Sequence, residues 1–240
     1  MECMFLGCTS LKIIDFSNFY TQKVTNIYGL FNRCSSLISI NLSNFFTGNV
    51  TDLSYMFYGC KSLINLDLSN FITNNVISMR EIFSGCSSLI SINLSNFFTD
   101  NVTDLSYMFY ECKSLINLDL SNFITNNVIS MREMFSGCAS LKTINLSNFI
   151  TNNFRDISNM FSGCFSLTNI PFVKFDIQIE NPLILYPLKL KYKKLPQKLS
   201  ELCMKSKNIN PIFNIISFLN KNEIMELIQT KNKKNNDINK

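Results

Sequence analysis

The chain has 240 residues, 46% of them hydrophobic and only 16% charged, with a formal net charge of +5. That balance excludes a wholly disordered chain, and the length allows one or two domains with a sizeable core. No apolar run approaches the roughly 18 residues of a membrane span, and the lack of histidine removes the commonest general base.

The opening stretch, MECMFLGCTSLKII, has no basic region followed by an apolar core and a small-residue cleavage site, so it does not read as a signal peptide. It reads as the middle of a repeat. Phe5, Phe31, Phe57, Phe83, Phe109, Phe135 and Phe161 stand 26 residues apart, and Cys8 to Cys164 and Leu11 to Leu167 keep the same step. A 52-residue period is layered on this one: residues 55–81 return almost unchanged at 107–133, which implies growth by duplication of two-unit blocks.

Within one unit, Leu63, Leu66 and Leu68 carry the L-x-x-L-x-L signature, and the alternation from Leu66 to Leu68 predicts a short strand. Ser69 and Asn70 follow as turn formers. Val76, Met79, Phe83 and Cys86 then fall on one face of a helical segment or an irregular helical turn. No unit can bury its apolar face alone, so stacking must make one core and a parallel sheet.

The string MFYGCKSLINLDLSNF, followed by NVTDLSYMF, resembles the BspA-like leucine-rich-repeat surface proteins in their MFxxCxSLxxLDLSNFxTxNV variant, over about residues 4–175. The resemblance implies a cell-surface or secreted protein that adheres to host proteins or other cells.

The columns also have a chemical reading. Stacked cysteines form a line of parallel thiols with no C-x-x-C and no histidine, so they are expected as small buried core residues, not zinc ligands or disulfides. The Phe column is expected as a core spine, with Phe46 and Phe98 as exposed neighbours. Asn18, Asn44, Asn70, Asn96, Asn122 and Asn148 end the strands, and inward amides there would bond backbone groups that the turns leave unpaired. The sequons at Asn41, Asn49, Asn93, Asn101 and Asn145 follow from the repeat itself.

The strand positions that point away from the core are the candidate contact residues: Asp15, Asn41, Asp67, Asn93, Asp119 and Asn145, with Asn65 and Asn117 beside them. They would form a polar, mildly acidic strip. Alternating Asp and Asn lacks the spaced oxygen ligands of a calcium loop.

Periodicity fails beyond Leu167. Residues 1–170 hold 9 Lys and Arg against 11 Asp and Glu, a net of −2, whereas residues 171–240 hold 13 against 6, a net of +7. Residues 176–196 read as a transition or cap, 197–230 as short amphipathic helices and 231–240 as a disordered basic tail. The dispersed lysines read as a solvated surface, not a nucleic-acid site.

The expected fold is therefore α/β: a leucine-rich-repeat solenoid of about seven 26-residue units over residues 1–175, with a parallel sheet on one face, helical turns on the other and a small, mainly helical C-terminal segment. The expected function is non-catalytic protein interaction, of the surface or adhesion type, or else an intracellular protein-binding scaffold in the cytoplasm. The partner is a protein ligand; no cofactor, metal, small-molecule substrate or membrane span is expected.

Overall fold

The computed structural model describes residues 1–149 and 156–167. The expected cap, helices and tail beyond residue 175 lie outside the described residues. Six three-residue strands follow one another at the 26-residue step: β1 (Ile13–Asp15), β2 (Ser39–Asn41), β3 (Asn65–Asp67), β4 (Ser91–Asn93), β5 (Asn117–Asp119) and β6 (Thr143–Asn145). Each strand turns its middle residue, such as Leu66, toward the core and leaves its two neighbours exposed. That is the two-residue alternation expected of a half-buried strand.

The strands pair in parallel and in register, but only two by two: β1 with β2, β3 with β4 and β5 with β6. The single sheet expected from the repeat is therefore broken, among the described residues, between β2 and β3 and between β4 and β5. Pairing follows the 52-residue block. The expected Asn ladder runs along the same joints, with its amides half-buried to exposed and reaching back along the stack instead of inward. At the unpaired joints, Asn70 Nδ2 donates to Leu42 O at 2.7 Å and lies within 3.4 Å of Ser43 O and Phe45 O, and Asn122 does the same to Leu94, Ser95 and Phe97. At the paired joints Asn44, Asn96 and Asn148 each reach one carbonyl, of Ser17, Ser69 and Ser121 respectively. Where the backbone ladder stops, the amide reaches three carbonyls of the preceding turn instead of one.

Half a turn of the coil further on, the structure holds turns where helical segments were expected; among the described residues no helix forms. Hydrogen bonding supplies the reason. In residues 53–60, Met56, Tyr58 and Cys60 donate back three residues within their own unit, to Leu53, Tyr55 and Phe57. The alternate N–H groups of Leu53, Tyr55, Phe57 and Gly59 instead donate across to Ser78, Arg80, Ile82 and Ser84 of the next unit. An α-helix keeps every interior N–H inside the segment. Here half of them are diverted along the stack. A one-residue parallel bridge extends the same ladder through Asn26, Asp52, Ser78, Asp104, Ser130 and Asp156 without interruption.

This geometry requires left-handed backbone at two columns. In one of them Tyr55, Glu81, Tyr107, Glu133 and Asn159 all have φ between 51° and 60°, in line with Gly29 at 58°. A left-handed L-residue costs about 1–2 kcal/mol, so the strain recurs in every unit and must be offset by what the unit buries.

The core is one cluster running the length of the described units. Phe31, Phe57, Phe83, Phe109, Phe135 and Phe161 form a stacked column with ring centroids 5.3–6.0 Å apart. Phe45, Phe71 and Phe97 form a second column beside it. Each such pair adds roughly 0.5–1.5 kcal/mol beyond the area it buries. Phe5, Cys8 and Leu11 share the columns but are less buried, because only one neighbouring unit covers them.

Candidate functional site

The in-register strands bring the predicted strip together. Asp15 lies beside Asn41, Asp67 beside Asn93 and Asp119 beside Asn145, with Asn65 beside Ser91 and Asn117 beside Thr143. All eight predicted residues are exposed. The breaks between β2 and β3 and between β4 and β5 divide them into three two-strand patches.

These side chains are not idle. The Oδ1 atom of Asp15, Asn41, Asp67, Asn93, Asp119 and Asn145 accepts the N–H of the serine two residues on, at 2.8–3.1 Å. This Asx turn ends each of the six strands, which suits Asp or Asn at the position. Ser91 Oγ donates to Asn65 Oδ1 and Thr143 Oγ1 to Asn117 Oδ1, both at 2.7 Å, tying the paired strands laterally. Across the paired strands Asn41 also hydrogen-bonds the Asp15 carboxylate, and Asn93 that of Asp67.

The alternation of Asp and Asn has an electrostatic reason. In parallel register, two carboxylates directly opposite would repel, whereas Asp beside Asn does not. Hydrogen bonds from the Ser69 backbone and side chain hold the Asp67 carboxyl below its ordinary 3.8, with a smaller contribution from Asn93; Asp15 is held down in the same way by Ser17. A depressed carboxyl stabilises the fold above its unfolded value and loses that contribution as the pH falls through the folded one.

At one end of the strip, residues 17–22 and 43–46 line an open groove of about 590 Å³. Phe19 and Tyr20 rise from its wall, 46% and 94% exposed. Phe98 is 40% exposed, as expected beside the buried Phe97, whereas Phe46, also expected to be exposed, is half-buried.

Two sets of residues escape the sequence reading. Thr47, Thr73 and Thr99 are buried, and each hydroxyl both donates to the carbonyl and accepts the N–H of one residue in the next unit: Ile72, Phe98 and Ile124. Thr21 clips Phe46 likewise. Their signal was the constancy of threonine between Phe and Val columns, where a loop would vary.

The second set lies on the turn side. Arg80 ion-pairs with Glu81 and Asp104 at 3.2 and 3.6 Å, and its Nε donates to Tyr55 Oη at 3.2 Å. Arg132 repeats this with Glu133, Asp156 and Tyr107.

Cys34 to Cys164 are buried free thiols, and each donates to the carbonyl of a column phenylalanine in the preceding unit, as Cys86 does to Phe57 O at 3.1 Å. Burial pushes Cys86 and Cys164 up to about 12 and Cys34 to about 11. A thiol raised in this way is a poor nucleophile at neutral pH. Among the described residues, no group of three or more His, Cys, Asp or Glu could hold a metal ion, and no helix is long and apolar enough to cross a membrane.

In-register short parallel strands, one continuous core and a periodic polar face define a repeat solenoid. The family model described as "Mycoplasma protein of unknown function, DUF285" matches residues 1–94 and again residues 77–181, and the chain belongs to that family. No curated protein matches it.

Proposed function

We propose that this chain is a non-catalytic protein-interaction solenoid of the surface or adhesion type, in keeping with its resemblance to the BspA-like leucine-rich-repeat proteins. Its contact surface is the strip of Asp15, Asn41, Asp67, Asn93, Asp119 and Asn145, flanked by Asn65 and Asn117. The observation that carries the reading is the register: strands β2 to β6 repeat one exposed polar pair around an inward apolar residue, and β1 keeps Asp15 beside an exposed Ile13. An array of exposed Asp and Asn groups repeated at one spacing offers a protein partner many weak contacts at once.

The test is adhesion of beads coated with the full chain to cultured animal cells. Coated beads are expected to attach above albumin-coated ones, and the triple variant N65R/D67R/D119R to lose attachment roughly tenfold. A turn-side control, Ser87→Arg, keeps it. Attachment that is absent, or untouched by the triple variant, sinks the strip.

A second reading, an intracellular protein-binding scaffold, draws on the column of thiols that must stay protonated to donate to the Phe carbonyls. Finding the chain in the cytoplasmic fraction of its own cells, and not on intact cells treated with a surface-labelling reagent, would favour it over the first.

A further inference from the structure

A row of isoleucines flanks the polar strip. Ile38, Ile64 and Ile90, each just ahead of its strand, are between 40% and 45% exposed, and Ile116 continues the row half-buried. Lys12 and Lys142 hold the same position one unit beyond either end, both exposed. Single apolar residues on a surface are ordinary, but large aliphatic side chains left to solvent in register mark a contact face.

Row and strip share one symmetry. The row reads the same from either end, with its midpoint between Ile64 and Ile90. Asp and Asn alternate along the strip, so reversing a copy about that midpoint sets Asp67 against Asn93, Asn41 against Asp119 and Asp15 against Asn145. Sliding the reversed copy by one unit sets Asp against Asp. Sliding it by two restores the mixed pairs but puts lysine over isoleucine. A copy laid parallel, unit on unit, also brings Asp against Asp. Like charges directly opposite destabilise, whereas a carboxylate has acceptor sites beyond those its own chain fills and an amide has two N–H groups to offer. Apolar row and charge pattern therefore select the same arrangement.

We propose that the strand face binds a second copy of this chain, antiparallel about a two-fold axis between β3 and β4, with isoleucine row on isoleucine row and each Asp opposite an Asn. The proposal rests on the reading of the strip as the contact surface and names its partner. The contact is isologous and closes at the dimer. Six strands at about 4.8 Å make a face about 25–30 Å long and about 15–20 Å wide, so each copy covers about 500 Å², the low end for a specific interface. One such pair is weak and transient, and copies crowded on a surface hold by number. Lys12 faces Lys142 at both rims, where salt screens the repulsion.

The test is sedimentation equilibrium of the full chain from micromolar to millimolar concentration, with circular dichroism confirming the fold of each variant. The chain is expected to dimerise and to stop there. N41D/N93D/N145D, which sets Asp against Asp, is expected to raise the dissociation constant at least roughly tenfold. S35D/S87D/A139D, with the same added charge on the turn side, is expected to stay within about threefold. D15N/D67N/D119N is expected to dimerise as the parent does, and mixing it with N41D/N93D/N145D to restore dimers. Ile64→Lys, which sets a lysine against Ile90, is expected to cost roughly tenfold without touching the strip. A chain that stays monomeric at millimolar concentration, as it does if its own basic C-terminal residues hold the face, overturns the proposal. So does N41D/N93D/N145D dimerising as well as the parent, a mixture that stays monomeric, or Ile64→Lys without effect. Dimers absent while coated beads still attach to cells overturn this inference alone; attachment untouched by N65R/D67R/D119R sinks the strip itself.

Discussion

The two sides of the coil hold neighbouring units together in different ways. On the turn side, at least three backbone hydrogen bonds and a parallel bridge cross the joints from the second unit onward. On the strand side the ladder crosses alternate joints only, and a conserved position within the repeat, Asn70 or Asn122, takes up the carbonyls at the gaps. The turn side thus carries the 26-residue period and the continuity, and the strand side carries the 52-residue period and the polar strip.

Alkali should break the turn side first, and this is the largest effect expected. The buried thiols stay protonated in the fold above 9.0, where the unfolded chain releases its protons. Their contribution is complete below 9.0 and is lost as the pH rises toward the folded values. The slope reaches up to about 1.4 kcal/mol per pH unit for each thiol. Urea midpoints measured from pH 8 to 11 should fall steeply, and Cys112→Ala should flatten the curve by one thiol's share. An unchanged slope in that variant refutes the assignment.

Asn70→Ala and Asn96→Ala sharpen the comparison on the strand side. Asn70 bridges an unpaired joint and Asn96 a paired one, so the first should cost about 1–2 kcal/mol and the second about half of that, by denaturant titration. Equal costs would mean that the broken ladder needs no support. The smallest effect is Asn93→Asp, which sets a second carboxylate opposite Asp67. It should cost roughly 0.2–1 kcal/mol at neutral pH. Salt should relieve the cost, and it should vanish in acid well below 3.8, once the pH has fallen through the lowered value of Asp67 and both carboxyls are protonated. A cost that persists in acid would point to packing instead of charge.

The columns of Phe, Cys and Leu were legible because burial in a stack repeats with the chain, and so was the strand at Leu66. The turn segment was not. Val76, Met79, Phe83 and Cys86 have the spacing of a helix face, yet their segment sends alternate N–H groups to the next unit, and periodicity within one unit carries no record of partners in another. Thr73 was missed for a related reason: a buried hydroxyl satisfied twice from the next unit looks, in sequence, like a loop residue. The exposure of the Asp and Asn column was legible from the alternation along the strand, but its part in the Asx turns became visible only with the serine N–H groups in place.

The broken strand ladder also has a mechanical meaning. A rod that is continuous along one edge and segmented along the other bends most easily by opening at its gaps. For this molecule those are the joints between β2 and β3 and between β4 and β5. Bending there would turn the three polar patches relative to one another, while the phenylalanine stack, which crosses both gaps, keeps the core continuous.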